Sequence, residues 1–331
     1  MTAVKSTAVQ TFLLLLLSMP PMTALTVAEV ADAVGAVAPY LVRIETIGGH
    51  EKVGNEFANE GTSTGVLLDR EGFIMTGAFH FLHEPASILL LFPDGTKRVA
   101  TKVATDRLRM LTLLKANDFT GGEMGNLSAR SKSSLRVGEP CIAVGSIFSS
   151  APNVAWGIIS GKDRIWGKAI QTDAAIGPNN YGGLLIDLEG RALGIPVPLS
   201  MMSESLTAGA EMYDAGIGMA IPWEDVLILF PKLKEGKDLL PGSLGFGFKE
   251  NQIFIGEPVI AGVQPGFPAE KAGLKAGDRI VSIDDIPMSV ALDVAKNIKL
   301  RYAGETLTIV FQREETVQSV TLTAIHAESS N

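Results

Sequence analysis

The chain holds a single cysteine, Cys141, in 331 residues. One thiol excludes an intrachain disulfide and a cysteine-built structural zinc site. It sits in the apolar run "PCIAVGS", which fits a buried structural residue rather than a reactive one. Basic residues are outnumbered, 28 Lys and Arg against 36 Asp and Glu, for a net charge of -8. With no basic patch, nucleic acid is not an expected partner. Aromatic residues are scarce as well, and no apolar run is long enough to span a bilayer. What the chain does have is glycine, 35 residues of it, in a sequence that is 46% hydrophobic, which suits a turn-rich globular protein. Its length allows about two domains.

The N-terminus reads as a secretory signal over residues 1–27. Lys5 supplies the positive start, Phe12 to Leu17 a short apolar core, and Pro20 and Pro21 break it before the small residues Thr23 and Ala24. Cleavage is expected after Ala24 or Ala28. No cysteine follows the core, which excludes a lipoprotein anchor. The mature chain is therefore expected outside the cytoplasm.

Helical spacing over residues 28–39 ends at Pro39, and "LVRIETIGG" then alternates as a strand. "GTSTGVLLDREGFIMT" reads strand, turn, strand with Glu71 and Gly72 in the turn. "ASILLLFPDGTKRVATKVA" repeats the pattern around Asp94 and Gly95. "RMLTLLKA", "GEPCIAVGS", "VAWGIISGKDRI" and "AIQTDAAI" continue the series of short strands, an all-β pattern of barrel or sandwich. The only longer helix of this half is "PWEDVLILFPKLK", from Trp223 to about Leu233. Residues 231–241 are polar and read as a linker. Beyond them lie short strands, a helical segment "SVALDVAKNIKLR" and two closing strands, with a polar tail at 327–331.

The order and spacing of "GTSTGVLLDREGFIMT", "GEPCIAVGS", "IQTDAAI", "GGLLIDLEGRALGI" and "GIGMAIPWEDV" resemble the HtrA (Deg) branch of the trypsin-like serine proteases, over about residues 29–325. The resemblance implies a mostly β chain: a chymotrypsin-like double β-barrel over 28–230, then a small α/β PDZ domain over 242–326. It also implies a Ser-His-Asp triad, and there the residues depart from the family. The nucleophile's turn, Gly-Asn-Ser-Gly-Gly in the family, is here Asn179-Asn180-Tyr181-Gly182-Gly183, so Tyr181 takes the serine's place. A phenol is bulkier and is no established nucleophile for peptides. Asn179 replaces the glycine of the oxyanion region. The family's aspartate position holds Met110, which cannot orient a histidine. Asp106, four residues earlier, lies roughly 13 Å away along an extended chain and belongs to the preceding turn. The histidine's place falls on Phe79 without a gap and on His80 with a one-residue insertion. His80, His83 and Glu84 share a stretch, but two histidines without a third firm ligand make a weak metal signal. No cofactor is expected.

The resemblance implies a peptide-binding groove in the second domain. Ser243, Leu244, Gly245 and Phe246 match the family's carboxylate-binding loop, and Ala291, Val294 and Ile298 share one face of the groove helix. Two functions follow. One is a pseudoprotease that binds C-terminal peptides or unfolded protein segments as scaffold, chaperone or regulator. The other is a divergent endopeptidase of envelope protein quality control, using Ser63, Thr64 or Ser146 with His80. Trimers, or mixed oligomers with active relatives, are expected from the family.

Overall fold

The computed structural model describes residues 26–48, 52–53, 56–57, 61–81, 84–121, 126–146, 151–178, 180–199, 216–249 and 253–326. The signal segment, except its last two residues, and the 327–331 tail lie outside them. Helix α1 (Val27–Val37) opens on a reciprocal cap. The Thr26 hydroxyl accepts the Glu29 N–H at 3.3 Å, and Glu29 Oε2 accepts the Thr26 N–H at 2.7 Å. Pro39 then turns the chain through a 3-10 turn into the first barrel.

That barrel consists of β1 (Leu41–Ile47), β4 (Gly61–Leu67), β5 (Phe73–Gly77), β6 (Ser87–Leu91), β7 (Lys97–Asp106) and β8 (Leu111–Ala116), and a separate short ribbon β2 (Lys52–Val53) and β3 (Glu56–Phe57) lies between β1 and β4 in the chain. It closes in the order β1-β4-β5-β8-β7-β6. The two expected hairpin turns form by aspartate capping. Asp69 Oδ1 accepts the N–H groups of Glu71 and Phe73 at 3.0 and 3.1 Å, and Asp94 Oδ1 that of Thr96 at 2.9 Å.

The second barrel consists of β9 (Pro140–Gly145), β10 (Asn153–Asp163), β11 (Ala169–Thr172), β12 (Leu184–Ile186), β13 (Ala192–Pro196) and β14 (Gly218–Pro222), with a single turn α2 (Arg164–Gly167) between β10 and β11. It closes as β10-β11-β14-β13-β12-β9. Closure leaves no strand edge open, which suits antiparallel strands this short. Val66, Met75, Met110, Ile142, Val144 and Ile195 pack between the barrels, and helix α3 (Trp223–Lys234) lays Trp223, Val226 and Leu229 onto the same cluster.

The remaining elements form the second domain: β15 (Gly242–Ser243), β16 (Phe246–Gly247), β17 (Gly262–Val263), α4 (Pro268–Lys271), β18 (Arg279–Ile283), β19 (Ile286–Pro287), α5 (Ala291–Lys299), β20 (Thr306–Arg313), β21 (Thr316–Thr323) and β22 (Ile325–His326). A four-stranded sheet β19-β18-β20-β21 backs a core of Leu244, Ile260, Ile280, Val294 and Phe311.

The stretch read as a linker begins inside α3, and its last residues are tied to both domains. Leu239 N–H donates to Thr105 O at 2.9 Å, Arg107 N–H to Leu239 O at 3.0 Å and Ala303 N–H to Leu240 O at 2.9 Å. Beneath this clasp, Tyr302 of the second domain donates its hydroxyl to Asp106 Oδ2 at 2.6 Å and accepts from Arg109 Nη1. Arg109 Nε also stands 3.4 Å from Asp225 Oδ2 of α3. Asp106 is fully buried, and its other carboxylate oxygen accepts the Leu108 and Arg109 N–H groups at 2.8 and 3.0 Å. Asp106 therefore caps the turn after β7, as its distance from the catalytic position suggested, and it also anchors the second domain.

Candidate functional site

Three chain segments converge in the cleft between the barrels. Thr76 at the end of β5 donates its hydroxyl to Thr64 O at 2.6 Å, and Thr64 N–H donates to Tyr181 O at 3.3 Å. Ala78 N–H donates to Met110 O at 2.8 Å. Gly77 faces the Gly182 backbone, close enough that a Cβ there would sit 3.5 Å from Gly182 N and 3.9 Å from Tyr181 Cβ. The turn after Tyr181 requires glycine. Gly182 has φ +78°, and a Cβ on it would lie 2.1 Å from Thr64 O. The segments expected to carry histidine, aspartate and nucleophile are thus brought together, with Met110 and Tyr181 among their residues.

Tyr181 is only 6% exposed, and its phenol joins the core cluster of the second barrel with Cys141, Ile159, Ala174 and Ile176. Burial pushes its hydroxyl pKa up to about 12, so the phenol stays neutral near pH 7. Met110 is 3% exposed, sits in the inter-barrel core and has φ +59°. Its thioether accepts no proton and orients no imidazole. His80 turns its ring onto β4: a Cβ on Gly61 would lie 2.5 Å from His80 Cε1. Gly61 is three residues, about 10 Å of strand, from Thr64, which touches Tyr181. Burial lowers the His80 pKa, which favours the neutral ring, and Nδ1 has no hydrogen-bond partner among the described residues. Phe79 is half-buried and meets His80 edge to face at 5.2 Å. Asn179 and His83 lie outside the described residues. The neighbouring Asn180 is buried, with Nδ2 3.4 Å from Ala143 O.

The hydroxyls weighed as substitutes are placed as follows. Thr64 is fully buried, and its Oγ1 accepts the Ser146 N–H at 2.7 Å. Ser63 is 3% exposed, and its Oγ has no partner among the described residues. Cys141 is buried with Sγ 3.1 Å from Thr172 Oγ1, and burial pushes its thiol pKa up to about 11, so it is not a thiolate near neutral pH. Among the described residues no group of three or more His, Cys, Asp or Glu could hold a metal ion.

In the second domain, Gly242 N–H donates to Arg301 O at 2.9 Å, which sets the start of β15 beside the C-terminal end of α5. Leu244 O and Gly245 O accept from Ala269 and Gln264, whereas the N–H groups of Leu244 and Gly245 have no acceptor among the described residues. Gly245 has φ +79°, and a Cβ on it would collide with Phe267 Cβ at 2.0 Å. Phe267 was not read from the sequence as part of this loop. Leu244 is buried in the domain core, while Ser243 and Phe246 are half-buried. On α5 the expected groove face divides. Ala291 and Val294 are fully buried, and Ile298 is partly buried against the core.

The arrangement agrees with comparisons to known proteins. The family described as Trypsin-like peptidase domain matches residues 63–195, and the PDZ domain family matches residues 242–323. The serine protease Do-like HtrA of Lactococcus lactis subsp. cremoris is 30% identical over 296 residues, 79% of this chain and 71% of that protein. The serine endoprotease DegS of Escherichia coli is 27% identical over 86% of this chain and 82% of its own. Among solved structures, the HtrA-type protease AlgW with decapeptide shares 26% identity at a TM-score of 0.65, covering 89% of this chain and 98% of that one. AlgW with tripeptide shares 27% at 0.67, covering 89% and 95%. Double barrel and appended PDZ domain are thus shared along most of the chain, which belongs to the HtrA family of trypsin-like serine proteases with a PDZ domain.

Proposed function

We propose that this HtrA-family chain is a pseudoprotease, whose cleft does not hydrolyse peptide bonds and whose PDZ groove binds C-terminal peptides or unfolded segments. The observation that carries the reading is Tyr181: a neutral, buried phenol in the turn where the family holds its serine. Met110 in the aspartate's place and a His80 ring turned onto Gly61 support it. The histidine's place falls on Phe79 or on His80, and with Met110 in the aspartate's place neither has a carboxylate there to orient it. In subtilisin, loss of the serine or the histidine alone costs about a millionfold in kcat. With the serine and the aspartate both replaced, the triad positions hold no established nucleophile and no carboxylate to orient a histidine.

A rival reading is an endopeptidase built on Ser63 and His80, whose Oγ and Nδ1 both lack partners among the described residues. Burial of Ser63 works against it, since a substrate carbonyl must reach the hydroxyl.

Binding remains chemically equipped. The unpaired Leu244 and Gly245 N–H groups can receive a terminal carboxylate, and the peptide can then add as a strand beside β16. AlgW, a structural relative, is solved with a decapeptide and with a tripeptide. We place the mature chain in the periplasm or outside the cell, as the DegP-like relative of Pseudomonas fulva is named periplasmic. Among the described residues no helix is long and apolar enough to cross a membrane. Cleavage after Ala24 keeps the Thr26 cap of α1, whereas cleavage after Ala28 removes it. We further propose trimers or mixed oligomers with active relatives.

The test is turnover of labelled casein by the native chain and Tyr181→Ala, beside binding of free-acid and amidated peptides. No cleavage by either protein and a preference for the free acid are expected. Cleavage by the native chain would overturn the reading.

A further inference from the structure

Phe254 and Ile255 are 59% and 84% exposed in the segment between β16 and β17. Single exposed apolar residues are ordinary, but this adjacent pair is held in place from its C-terminal side. Gly256 O accepts the N–H of Ala291, the first residue of α5, at 2.9 Å. Pro258 O accepts the Ile280 N–H at 2.8 Å, and Val259 N–H donates to Glu257 O at 2.8 Å. The pair therefore stands at the N-terminal end of α5, while the unpaired Leu244 and Gly245 N–H groups lie toward its C-terminal end, where Gly242 meets Arg301.

These placements give the groove a length and a direction. Helix α5 has nine residues, about 13 Å of rise. A strand added antiparallel to β16 covers that distance in about four residues. Its carboxylate rests at Leu244 and Gly245, and its upstream residues pass Phe246 and Phe248, whose rings meet edge to face at 5.9 Å. The upstream end of the peptide then reaches the N-terminal end of α5, where Phe254 and Ile255 stand. We infer that Phe254 and Ile255 form an apolar lip at the upstream end of the groove, selecting peptides with large apolar side chains about four residues before a free C-terminus. This rests on the groove reading proposed above and adds the chemistry of the partner.

The test uses fluorescence anisotropy on the full mature chain. Two labelled peptides share their last three residues. One carries Phe and Leu at the fourth and fifth positions from the C-terminus, the other Ser at both, and each is made as free acid and as amide. The native chain should bind the apolar free acid about tenfold tighter than the Ser free acid. The double variant Phe254→Ser, Ile255→Ser should bind both free acids equally, with the native affinity for the Ser peptide, which also shows that its groove is folded. Equal binding of both peptides by the native chain, with free acid still preferred over amide, would overturn the lip and leave the groove reading intact. Discrimination retained by the double variant would overturn it too. No preference for free acid over amide would remove the groove reading and the lip together.

Discussion

Tyr302→Phe removes one oxygen from a buried contact that joins the two domains. That oxygen donates to Asp106 at 2.6 Å and accepts from Arg109. The Arg109 guanidinium, 5.5 Å over the Tyr302 ring, keeps its face contact with the phenyl group. What is lost is a hydrogen bond to each of two charged groups, about 1.5–3 kcal/mol apiece, in a site where Asp106 has no access to water. The two losses are coupled through one atom, so we take about 3 kcal/mol rather than their full sum. The cost falls on the docking of the second domain, because both barrels close without Tyr302. Hydrogen exchange reads this directly at the N–H groups of Arg107, Leu239 and Ala303, which hold the clasp. Their exchange should quicken about a hundredfold, while amides of β9 and β12 stay unchanged. A change of less than threefold at all three amides would refute the reasoning, and an equal rise in the barrels would show that the contact supports the whole fold.

Tyr181→Ser alone should not restore casein cleavage, because Met110 still leaves no group to orient a histidine; robust turnover by that variant would contradict the assignment. Gly245→Ala should abolish free-acid peptide binding, since its φ of +79° and the 2.0 Å approach to Phe267 leave no room for a Cβ. A titration calorimeter checks it, and retained affinity would show that the loop is not the carboxylate site. Asp278 is buried, which works against its ionisation, but the Arg313 fork at 2.7 and 2.8 Å and the Lys275 N–H outweigh burial and hold its carboxyl below the usual range. Its contribution is present above the unfolded carboxylate pKa of about 3.9 and is lost as pH falls through the lower folded value. Melting of the second domain should therefore drop in that acid window, and Asp278→Asn should flatten the drop.

Much of the barrel pair was legible locally. The turns at Asp69 to Gly72 and Asp94 to Gly95 carry their own capping chemistry, and the alternation of the flanking strands assigns the inner face. Met110 and Tyr181, which we propose as departures from the triad, could be singled out because they fall inside recognisable motifs. Where the His80 ring points was not legible, since that depends on Gly61 across the barrel. The periodicity of α5 identified a helix without telling its core side from its groove side, and Ala291 and Val294 proved fully buried. The domain contact was hidden altogether. Tyr302 and Asp106 are 196 residues apart, and nothing near either one marks it as a partner. A polar stretch such as 231–241 looks like a free tether until the carbonyls it pairs with are known.

The most direct test of the central claim is covalent labelling of the mature chain with a fluorophosphonate probe, read by intact-mass and peptide mass spectrometry. Such a probe reports an activated hydroxyl whatever the substrate preference. The account predicts no labelled residue under conditions where an active HtrA protease is labelled to completion. Stoichiometric labelling at Ser63, Ser146 or Tyr181 would mean that the cleft holds a working nucleophile, and the pseudoprotease reading would fall.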